Sequence, residues 1–518
     1  MECIYDTQSI AKGLHHIMQM IPSSSMNALY CKLEDGIKRM DEPMQLAVIG
    51  KISSSKSTLV NALLGKNEIM TTGQKEITYN VGWLKYGNPD SDIIIHHKDN
   101  TPVVYKKPKE FALWSTQNHN PEIDNISYIE IFDDAEILKE INIIDTPGLD
   151  ALRGKDSQNT LEFIQKVRPD AVIMLFTHSV SENILDIVRQ YNSGNSFNPL
   201  NAIGVLAKID VLWQEGFDRE ESAIEIGKDI AMDLKNKNPM LSKTLFNLYP
   251  ISALQFLASS TLDESTLSGL VCLSKSENDQ LKKAFISVRN FLSPGACLNL
   301  TVQQREDIIL KVGLYGAFLI VNSIKRGEVT DIQSARCLLW NESGAQDFMK
   351  VLHNHFGMRA KLIKMESLYQ SLQQTIMAIK GQVRDNTSIQ LLSKVEQRIS
   401  DLFSNLVHEH KEYDLLYQLY NGDITLSDSD RQEFLTLCGE HGGSALERLG
   451  LSFISTAQDL VDKALEREKY WRKQVALEPD PEERNWMNVI LTSYSRLRQK
   501  LQLMKYQYEQ SKAFLFNK

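Results

Sequence analysis

Residues 46–65, LAVIGKISSSKSTLVNALLG, combine the residue types that hold nucleotide phosphates, in an order that fits a strand, a tight turn and a helix. Gly50 opens the turn and Lys56-Ser57 close it, as in the phosphate-loop pattern G-x-x-x-x-G-K-[ST], except that its second glycine is replaced by Ser55. The N–H groups of such a turn and the helix dipole attract phosphate oxygens, the lysine contacts the β- and γ-phosphates, and the serine hydroxyl binds Mg²⁺. The predicted nucleotide-binding residues of this stretch are Gly50, Ser53, Ser54, Ser55, Lys56, Ser57 and Thr58.

The serine at position 55 is the departure from the pattern. It adds a Cβ where the backbone approaches phosphate closely, so we expect some loss of nucleotide affinity. On this stretch alone, a serine-rich loop that resembles the pattern by chance is the alternative interpretation. The apolar run at 45–49 and the helical spacing of apolar residues over 58–64 favour the nucleotide-binding interpretation.

A second strand-end motif, EINIIDTPG, lies at 140–148. A carboxylate at the end of a strand, here Asp145, can hold Mg²⁺ through water. A glycine that follows it, here Gly148, can offer its N–H to a γ-phosphate and move when that phosphate leaves. The motif therefore predicts the part of the same site that contacts the metal and the γ-phosphate.

Two further strand ends suit a guanine base. The run AIGVLAKID ends in Lys208 and Asp210, and the run LYPISAL contains Ser252 and Ala253. An aspartate can accept hydrogen bonds from N1 and from the N2 amine of guanine, which adenine does not offer. The stem of Lys208 would pack over the base, and a backbone amide at Ser252-Ala253 would meet guanine O6. The four motifs in this order predict an α/β domain that binds GTP or GDP.

The same motifs resemble those of dynamin-superfamily GTPases, and bacterial dynamin-like proteins in particular. The resemblance rests on the loop serines before Lys56-Ser57, on NALLG after the loop, on DTPGL at 145–149 and on AKIDVLWQEGFD. It covers roughly residues 45–260. It implies that TTGQKEITYNVGWLKYG at 71–87 is the first switch segment running into a strand.

The resemblance also implies roles for single residues. Thr78 would be the switch threonine that completes the Mg²⁺ shell, and Ser53 would position the bridging oxygen and the attacking water. Lys56 would stabilise the developing phosphate charge, and Gly148 would sense the γ-phosphate. The expected catalytic residues are thus Ser53, Lys56, Thr78 and Gly148, and the expected Mg²⁺ ligands are Ser57, Thr78 and Asp145.

Three positions depart from the family pattern. Ile52 stands where the family often has Gln, Ser55 where it has Gly, and Ala207 where it has Asn or Thr. The last change removes a side chain that braces the phosphate loop against the base loop. We therefore expect slow basal hydrolysis, raised by self-association across the nucleotide face or by a partner.

Composition sets the broad class of the protein. At 518 residues the chain is too long for one compact core, and 42% hydrophobic and 24% charged residues are ordinary for a soluble protein. A net charge of −9 argues against broad nucleic-acid binding, and the six cysteines lack zinc-like spacing. We expect a cytoplasmic chain without an export signal, in which the apolar stretch 308–324 is a buried helix.

Outside the α/β region, apolar residues recur at spacings of three and four, as in helical bundles. Such seams occupy the N-terminus and the region from 358 to 508, where the last one runs from Met487 to Tyr508, and we expect each to be buried against neighbouring helices. The predicted fold is an α/β P-loop GTPase domain plus an elongated all-α bundle built from N-terminal and C-terminal helices. The expected parts are N-terminal helices at 1–42, the GTPase domain at 43–300, a neck at 301–355 and a stalk at 356–518 with its tip near 421–455.

The tip and the basic clusters are the candidate membrane contacts. Leu449, Leu451, Phe453 and Ile454 could insert shallowly, although burial in the bundle is the favoured interpretation. Basic clusters at 467–473 and 496–505 could meet anionic lipid, although a solvated helix face is favoured for them. His15-His16, His96-His97 and His408-x-His410 lack metal-site spacing.

The sequence therefore predicts a dynamin-like GTPase that couples GTP hydrolysis and self-assembly to peripheral contact with an anionic membrane. The expected partners are further copies, bound through the GTPase domain or the stalk, or a second dynamin-like subunit. One alternative is a nucleotide-gated scaffold with weak or partner-dependent hydrolysis, motivated by Ile52, Ser55 and Ala207. The other is a ribosome- or RNA-associated GTPase, against which the acidic charge speaks.

Overall fold

The computed structural model describes residues 7–22, 26–51, 53–67, 69, 80–98, 101, 103–111, 114, 125–147, 169–177, 201–213, 222–296, 298–357 and 359–516. The chain divides into two compact units, one of residues 43–349 and the other of residues 1–42 together with 350–518. The predicted site residues Thr78 and Gly148, and also Ile52, lie outside the described residues.

The unit of residues 43–349 is built on one mixed sheet. Its nine strands among the described residues are β1 (Met44–Gly50), β2 (Val81–Tyr86), β3 (Ile93–His97), β4 (Val104–Lys106), β5 (Ile126–Asp133), β6 (Ile141–Asp145), β7 (Ala171–Phe176), β8 (Ala202–Ala207) and β9 (Leu248–Ile251). They lie in the order β4-β3-β5-β2-β6-β1-β7-β8-β9. The strands from β6 to β9 in this order are all parallel, whereas β2 pairs antiparallel with β6.

The parallel half of the sheet positions the predicted site. Every residue of β1, β6, β7 and β8 is buried, as expected for parallel strands covered on both faces. These strands are the apolar runs that the sequence predicts, and the α/β fold class is confirmed. Because parallel strands end at the same edge of a sheet, the residues after β1, β6, β8 and β9 lie along one edge.

Helices lie between and after these strands in the described residues. They are α3 (Lys56–Leu64), α4 (Ile209–Leu212), α5 (Ala223–Lys237), α6 (Pro239–Thr244), α7 (Ala253–Thr261), α8 (Glu264–Ser274), α9 (Asn278–Phe285), α10 (Val288–Phe291), α11 (Val302–Arg326), α12 (Ile332–Glu342) and α13 (Ala345–Val351). Short 3-10 turns lie at Pro108–Glu110, Glu136–Lys139 and Pro294–Ala296, and a π turn at Leu352–Gly357 belongs to the other unit. The helices at 302–349 belong to the same compact unit as the sheet, and their role as a neck stays a prediction.

Helix α11 contains the apolar stretch noted in the sequence. Of the helices in the described residues, it is the one long and apolar enough to span a membrane, with a mean hydropathy of 1.6 over its most apolar window, half of which is buried. Its buried residues, among them Val312, Ile320 and Val321, belong to the core that also contains the strands. At Gly313 the backbone leaves helical geometry (φ 67°, ψ 177°), so α11 is kinked.

The other unit is all helical. Its helices are α1 (Thr7–Met20), α2 (Asn27–Asp41), α14 (Ala360–Gln382), α15 (Asn386–Phe403), α16 (Val407–Asn421), α17 (Asp428–Leu437), α18 (Ala445–Arg448), α19 (Ala457–Leu477) and α20 (Pro481–Phe516), with a 3-10 turn at Ser404–Leu406. One apolar core joins α1 and α2 to α14 and α15, which confirms the bundle of N-terminal and C-terminal helices. Leu14, Leu33, Leu372 and Ile399 are fully or nearly fully buried in it.

The apolar seam of α20 is buried over only part of its predicted length. Ile490, Tyr494 and Leu501 are buried, whereas Met504 and Tyr508 are 58% and 68% exposed. The prediction that the seam is buried through Tyr508 is therefore wrong at its end. Periodicity shows that a helix has an apolar stripe, but it does not show where the neighbouring helix stops.

Candidate functional site

The phosphate-binding loop runs from the end of β1 at Gly50 to the start of α3 at Lys56. Ser53 (φ 58°) and Ser55 (φ 70°) both adopt the left-handed backbone conformation, which non-glycine residues rarely adopt. Left-handed geometry costs an L-residue about 1–2 kcal/mol. The loop thus adopts at Ser55 the backbone shape that a glycine would adopt freely, at some cost in stability.

The side chain of Lys56 is held at this loop. Its Nζ donates hydrogen bonds to the carbonyl oxygens of Gly50, at 3.1 Å, and Lys51, at 2.9 Å, and the residue is buried. Ser54 is also buried, whereas Ser53 is exposed and Ser55, Ser57 and Thr58 are half-buried. The ammonium group is therefore placed where a lysine of a phosphate loop is needed.

Asp145 joins the loop helix to the end of β6. Its Oδ2 accepts a 2.8 Å hydrogen bond from Ser57 Oγ, and the neighbouring Thr146 Oγ1 donates to the carbonyl oxygen of Val48 at 2.7 Å. Burial raises the pKa of Asp145 to about 6, an effect opposed by the charge of Lys56 and the Ser57 hydrogen bond. Within the described part of the chain, Asp145 Oδ1 is buried and has no hydrogen-bond partner.

This donor set fits a magnesium ion. Mg²⁺ binds through a few hard oxygen ligands and retains water, and a serine hydroxyl beside an unpartnered carboxylate oxygen supplies such ligands. A buried carboxylate that lacks one of its partners normally has a structural or functional reason. The predicted metal ligands Ser57 and Asp145 are therefore in contact, while Thr78 lies outside the described residues.

The predicted base-binding residues also lie together. Lys208, which follows β8, adopts a left-handed conformation (φ 62°), and Asp210 lies in α4. Ser252 Oγ donates to Asp210 Oδ1 at 2.8 Å. Burial raises the pKa of Asp210, and the Ser252 hydrogen bond and the charge of Lys208 oppose that rise. Ser252 is the N-cap of α7, whose first residue is Ala253.

One polar residue at this site has no counterpart in the sequence predictions. Gln255 is fully buried, its Oε1 contacts Ser252 Oγ, and its Nε2 donates to the carbonyl oxygen of Val312 at 2.7 Å. The available signal was a lone glutamine in the otherwise apolar start of α7, ALQFLA. Ala207, where the family pattern has Asn or Thr, is the buried last residue of β8.

Comparison with known proteins places this chain near dynamin-family sequences. Residues 46–209 match the model of the dynamin family. The chain is 25% identical over 458 residues to the isoniazid-induced protein IniC of Mycobacterium tuberculosis. The aligned region covers 86% of this chain and 88% of that protein. It is 25% identical over 191 residues to dynamin-like protein 2 of Campylobacter jejuni, covering 37% of this chain and 30% of that protein.

A solved structure of an oligomerised bacterial dynamin pair is also similar, at 14% identity and a TM-score of 0.31, with 99% of this chain and 94% of that chain covered. The family match covers the phosphate loop, Asp145 and Lys208, and ends next to Asp210. Residues 46–209 thus match a dynamin-family domain, and the chain is similar in sequence to a bacterial dynamin-like protein.

Proposed function

We propose that this protein binds GTP together with Mg²⁺, hydrolyses it slowly as an isolated chain, and couples nucleotide state and self-association to contact with an anionic membrane. The observation that supports the nucleotide part most strongly is the contact of Ser57 with Asp145, whose second oxygen is buried and unpartnered among the described residues. Lys56 is held at the same loop.

In this proposal the residues at the loop act on the phosphates. Lys56 turns from the loop carbonyls to the β- and γ-phosphates and stabilises the charge that develops during transfer. Ser57 and Asp145, with Thr78, would hold Mg²⁺, which neutralises phosphate charge when bound. Ser53 orients the attacking water, and Gly148 donates its N–H to the γ-phosphate; the roles of Ser53, Thr78 and Gly148 come from the family resemblance.

The base-binding residues select guanine. Asp210 accepts hydrogen bonds from N1 and N2, Lys208 packs along the base, and the backbone at Ser252-Ala253 faces O6. Adenine has no donor pair for the aspartate, so its binding leaves the carboxylate without the two hydrogen bonds that guanine supplies. Binding of GTP is therefore expected to exceed binding of ATP by a large factor.

Self-association is proposed to raise the rate. Ala207 has no polar side chain to brace the phosphate and base loops, so ordering of the site is left to contacts between copies. The test is phosphate release from GTP over a range of protein concentrations, with Mg²⁺ and with EDTA. We expect turnover per chain to rise with concentration and to stop in EDTA. GTP binding without turnover at any concentration would instead favour the nucleotide-gated scaffold.

Replacing Ser55 by glycine tests the cost of the altered loop. The Ser55→Gly change removes a Cβ from a left-handed residue, so we expect the free energy of unfolding to rise by about 1 kcal/mol. The affinity for a non-hydrolysable GTP analogue should rise severalfold. Ser55→Ala is the control, because it keeps the Cβ and should give neither gain. An equal gain in both variants would assign the effect to the hydroxyl group.

The membrane part of the proposal rests on the turn before α19. Leu449 is buried there and Leu451 is half-buried, whereas Phe453 and Ile454 are 90% and 93% exposed. The favoured sequence interpretation, burial of all four residues, is therefore wrong for Phe453 and Ile454. Two adjacent large apolar side chains in water fit shallow insertion into a lipid surface.

The basic clusters are less available for lipid. Arg467 pairs with Glu433, and Arg498 pairs with the buried Glu468. Arg496 pairs with Glu409. These arginines hold the helices of the bundle together, so the proposed lipid contact centres on Phe453 and Ile454.

The double change Phe453→Ser with Ile454→Ser tests this contact. The affinity for anionic liposomes is measured from the fraction of protein that sediments with them. We expect the variant to bind at least tenfold more weakly than the unchanged chain, because each buried apolar side chain contributes about 1.5–3 kcal/mol. Leu477→Ser, a change of another exposed apolar residue (66% exposed), is the control and should bind like the unchanged chain. Co-sedimentation with RNA but not liposomes would favour the RNA-associated alternative.

A further inference from the structure

A buried chain of hydrogen bonds links the base-binding carboxylate to the kink of α11. Ser252 Oγ contacts both Asp210 Oδ1 and Gln255 Oε1, and the backbone N–H of Gln255 donates to the same hydroxyl at 3.4 Å. The amide Nε2 of Gln255 donates to the carbonyl oxygen of Val312. Neither Ser252 nor Gln255 is exposed.

The number of protons at Ser252 makes this arrangement unusual. A serine hydroxyl has one proton to donate, and both an ionised Asp210 and the Gln255 carbonyl can only accept. The hydroxyl therefore has two acceptors and can serve one of them at a time. Rotation about the Cβ–Oγ bond is sufficient to move the proton from Asp210 to Gln255.

The orientation of the Gln255 amide is set by α11. At Gly313 the helix is interrupted, and the Val312 carbonyl oxygen accepts the Gln255 Nε2 donor. Because Nε2 is engaged there, the amide presents its oxygen, and not its NH₂ group, to Ser252.

Two glycines of α11 leave the space that this amide occupies. A Cβ at Gly316 would lie 3.1 Å from Gln255 Nε2, closer than ordinary contact. A Cβ at Gly313 would lie 3.6 Å from Nε2 and 2.9 Å from Leu254 Cδ2, at a residue whose φ is +67°. The sequence VGLYG at 312–316 therefore supplies both the accepting carbonyl oxygen of Val312 and the room for Gln255.

We infer that Gln255 is a positioning residue for guanine recognition, acting as the alternative acceptor of the Ser252 hydroxyl proton when the base engages Asp210. The inference rests on the proposed role of Asp210 in binding guanine. GTP brings two donors, N1–H and the N2 amine, to the carboxylate, and Ser252 then turns its proton to Gln255. The hydroxyl stays hydrogen-bonded in both arrangements, so the base does not leave a buried donor unpaired.

The test compares GTP with ITP, whose base lacks the N2 amine and needs only one carboxylate oxygen. In Gln255→Met, Ser252 has no second acceptor, so the ratio of GTP affinity to ITP affinity should fall about three- to tenfold, the range that one buried hydrogen bond supplies. Gly316→Ala crowds the same amide and should lower the ratio in the same direction. In a Ser252→Ala background, Gln255→Met should leave the ratio unchanged.

Two results would overturn the inference while leaving guanine binding intact. One is a folded Gln255→Met or Gly316→Ala protein whose ratio equals that of the unchanged chain. The other is an equal fall of the ratio in Gln255→Met with and without the Ser252 hydroxyl. If the unchanged chain itself binds GTP and ITP equally, or binds neither, the proposed guanine selection fails, and the inference fails with it.

Discussion

Lys56→Ala is expected to lower GTP turnover by about 10²–10³-fold, the size of effect seen when one preorganised donor to a developing negative charge is removed. The ammonium group of Lys56 is buried at the loop and lies next to Asp145, whose pKa it lowers against the effect of burial. Phosphate release under saturating GTP and Mg²⁺ measures the loss. The two hydrogen bonds that Lys56 donates to carbonyl oxygens stay within the loop, so circular dichroism should show an unchanged fold.

Lys66→Ala is the matched control for this prediction. Lys66 lies just after the other end of α3, where it pairs with Asp133 and Asp134. Its loss removes a charge close to the same helix without touching the phosphate loop, so turnover should stay within about twofold. A Lys56→Ala protein that retains full turnover would contradict the assignment of the phosphate loop.

Asp210→Asn is expected to change the nucleotide preference of the protein from GTP to XTP. The amide presents one donor and one acceptor, which match the C2 carbonyl and N1–H of xanthine and mismatch the two donors of guanine. The GTP complex loses one charge-assisted hydrogen bond and gains a mismatch between two donors. Together these changes cost about 3–4 kcal/mol, so GTP affinity should fall by about 10²–10³-fold. Competition of GTP and XTP against a fluorescent analogue measures both affinities.

The control for Asp210→Asn is Asp229→Asn, which changes a carboxylate on the exposed face of α5. It changes net charge by the same amount and should leave both affinities unchanged. If Asp210→Asn weakens GTP without strengthening XTP, Asp210 supports the loop but does not read the base, and the guanine assignment fails.

The motif-bearing strands and their helices were predictable because they are buried on both faces. Parallel strands of this kind are continuous apolar runs, and the polar residue that ends each run, such as Asp145 after INII, is visible in the sequence. The contact of Ser57 with Asp145 follows from that geometry, since adjacent parallel strands end at the same edge.

Other features depend on tertiary contacts that no local pattern encodes. Gln255 became part of the site because α11 breaks at Gly313 and offers it the Val312 carbonyl, a partner distant in sequence. Likewise, the turn before α19 and the end of α20 contain apolar residues at helical spacing, yet Phe453 and Met504 are exposed in the part of the chain that the structure describes. Amphipathic spacing identifies a stripe, and packing decides whether anything lies against it.

The most direct test of the central claim is an equilibrium titration of the purified chain with GTP and with ATP in Mg²⁺, followed by phosphate release from the same samples. The structure predicts saturable binding of GTP, at least about 10²-fold weaker binding of ATP, and phosphate released from GTP alone. Equal affinity for the two nucleotides, or no binding of either, would contradict the claim that this site recognises a guanine nucleotide.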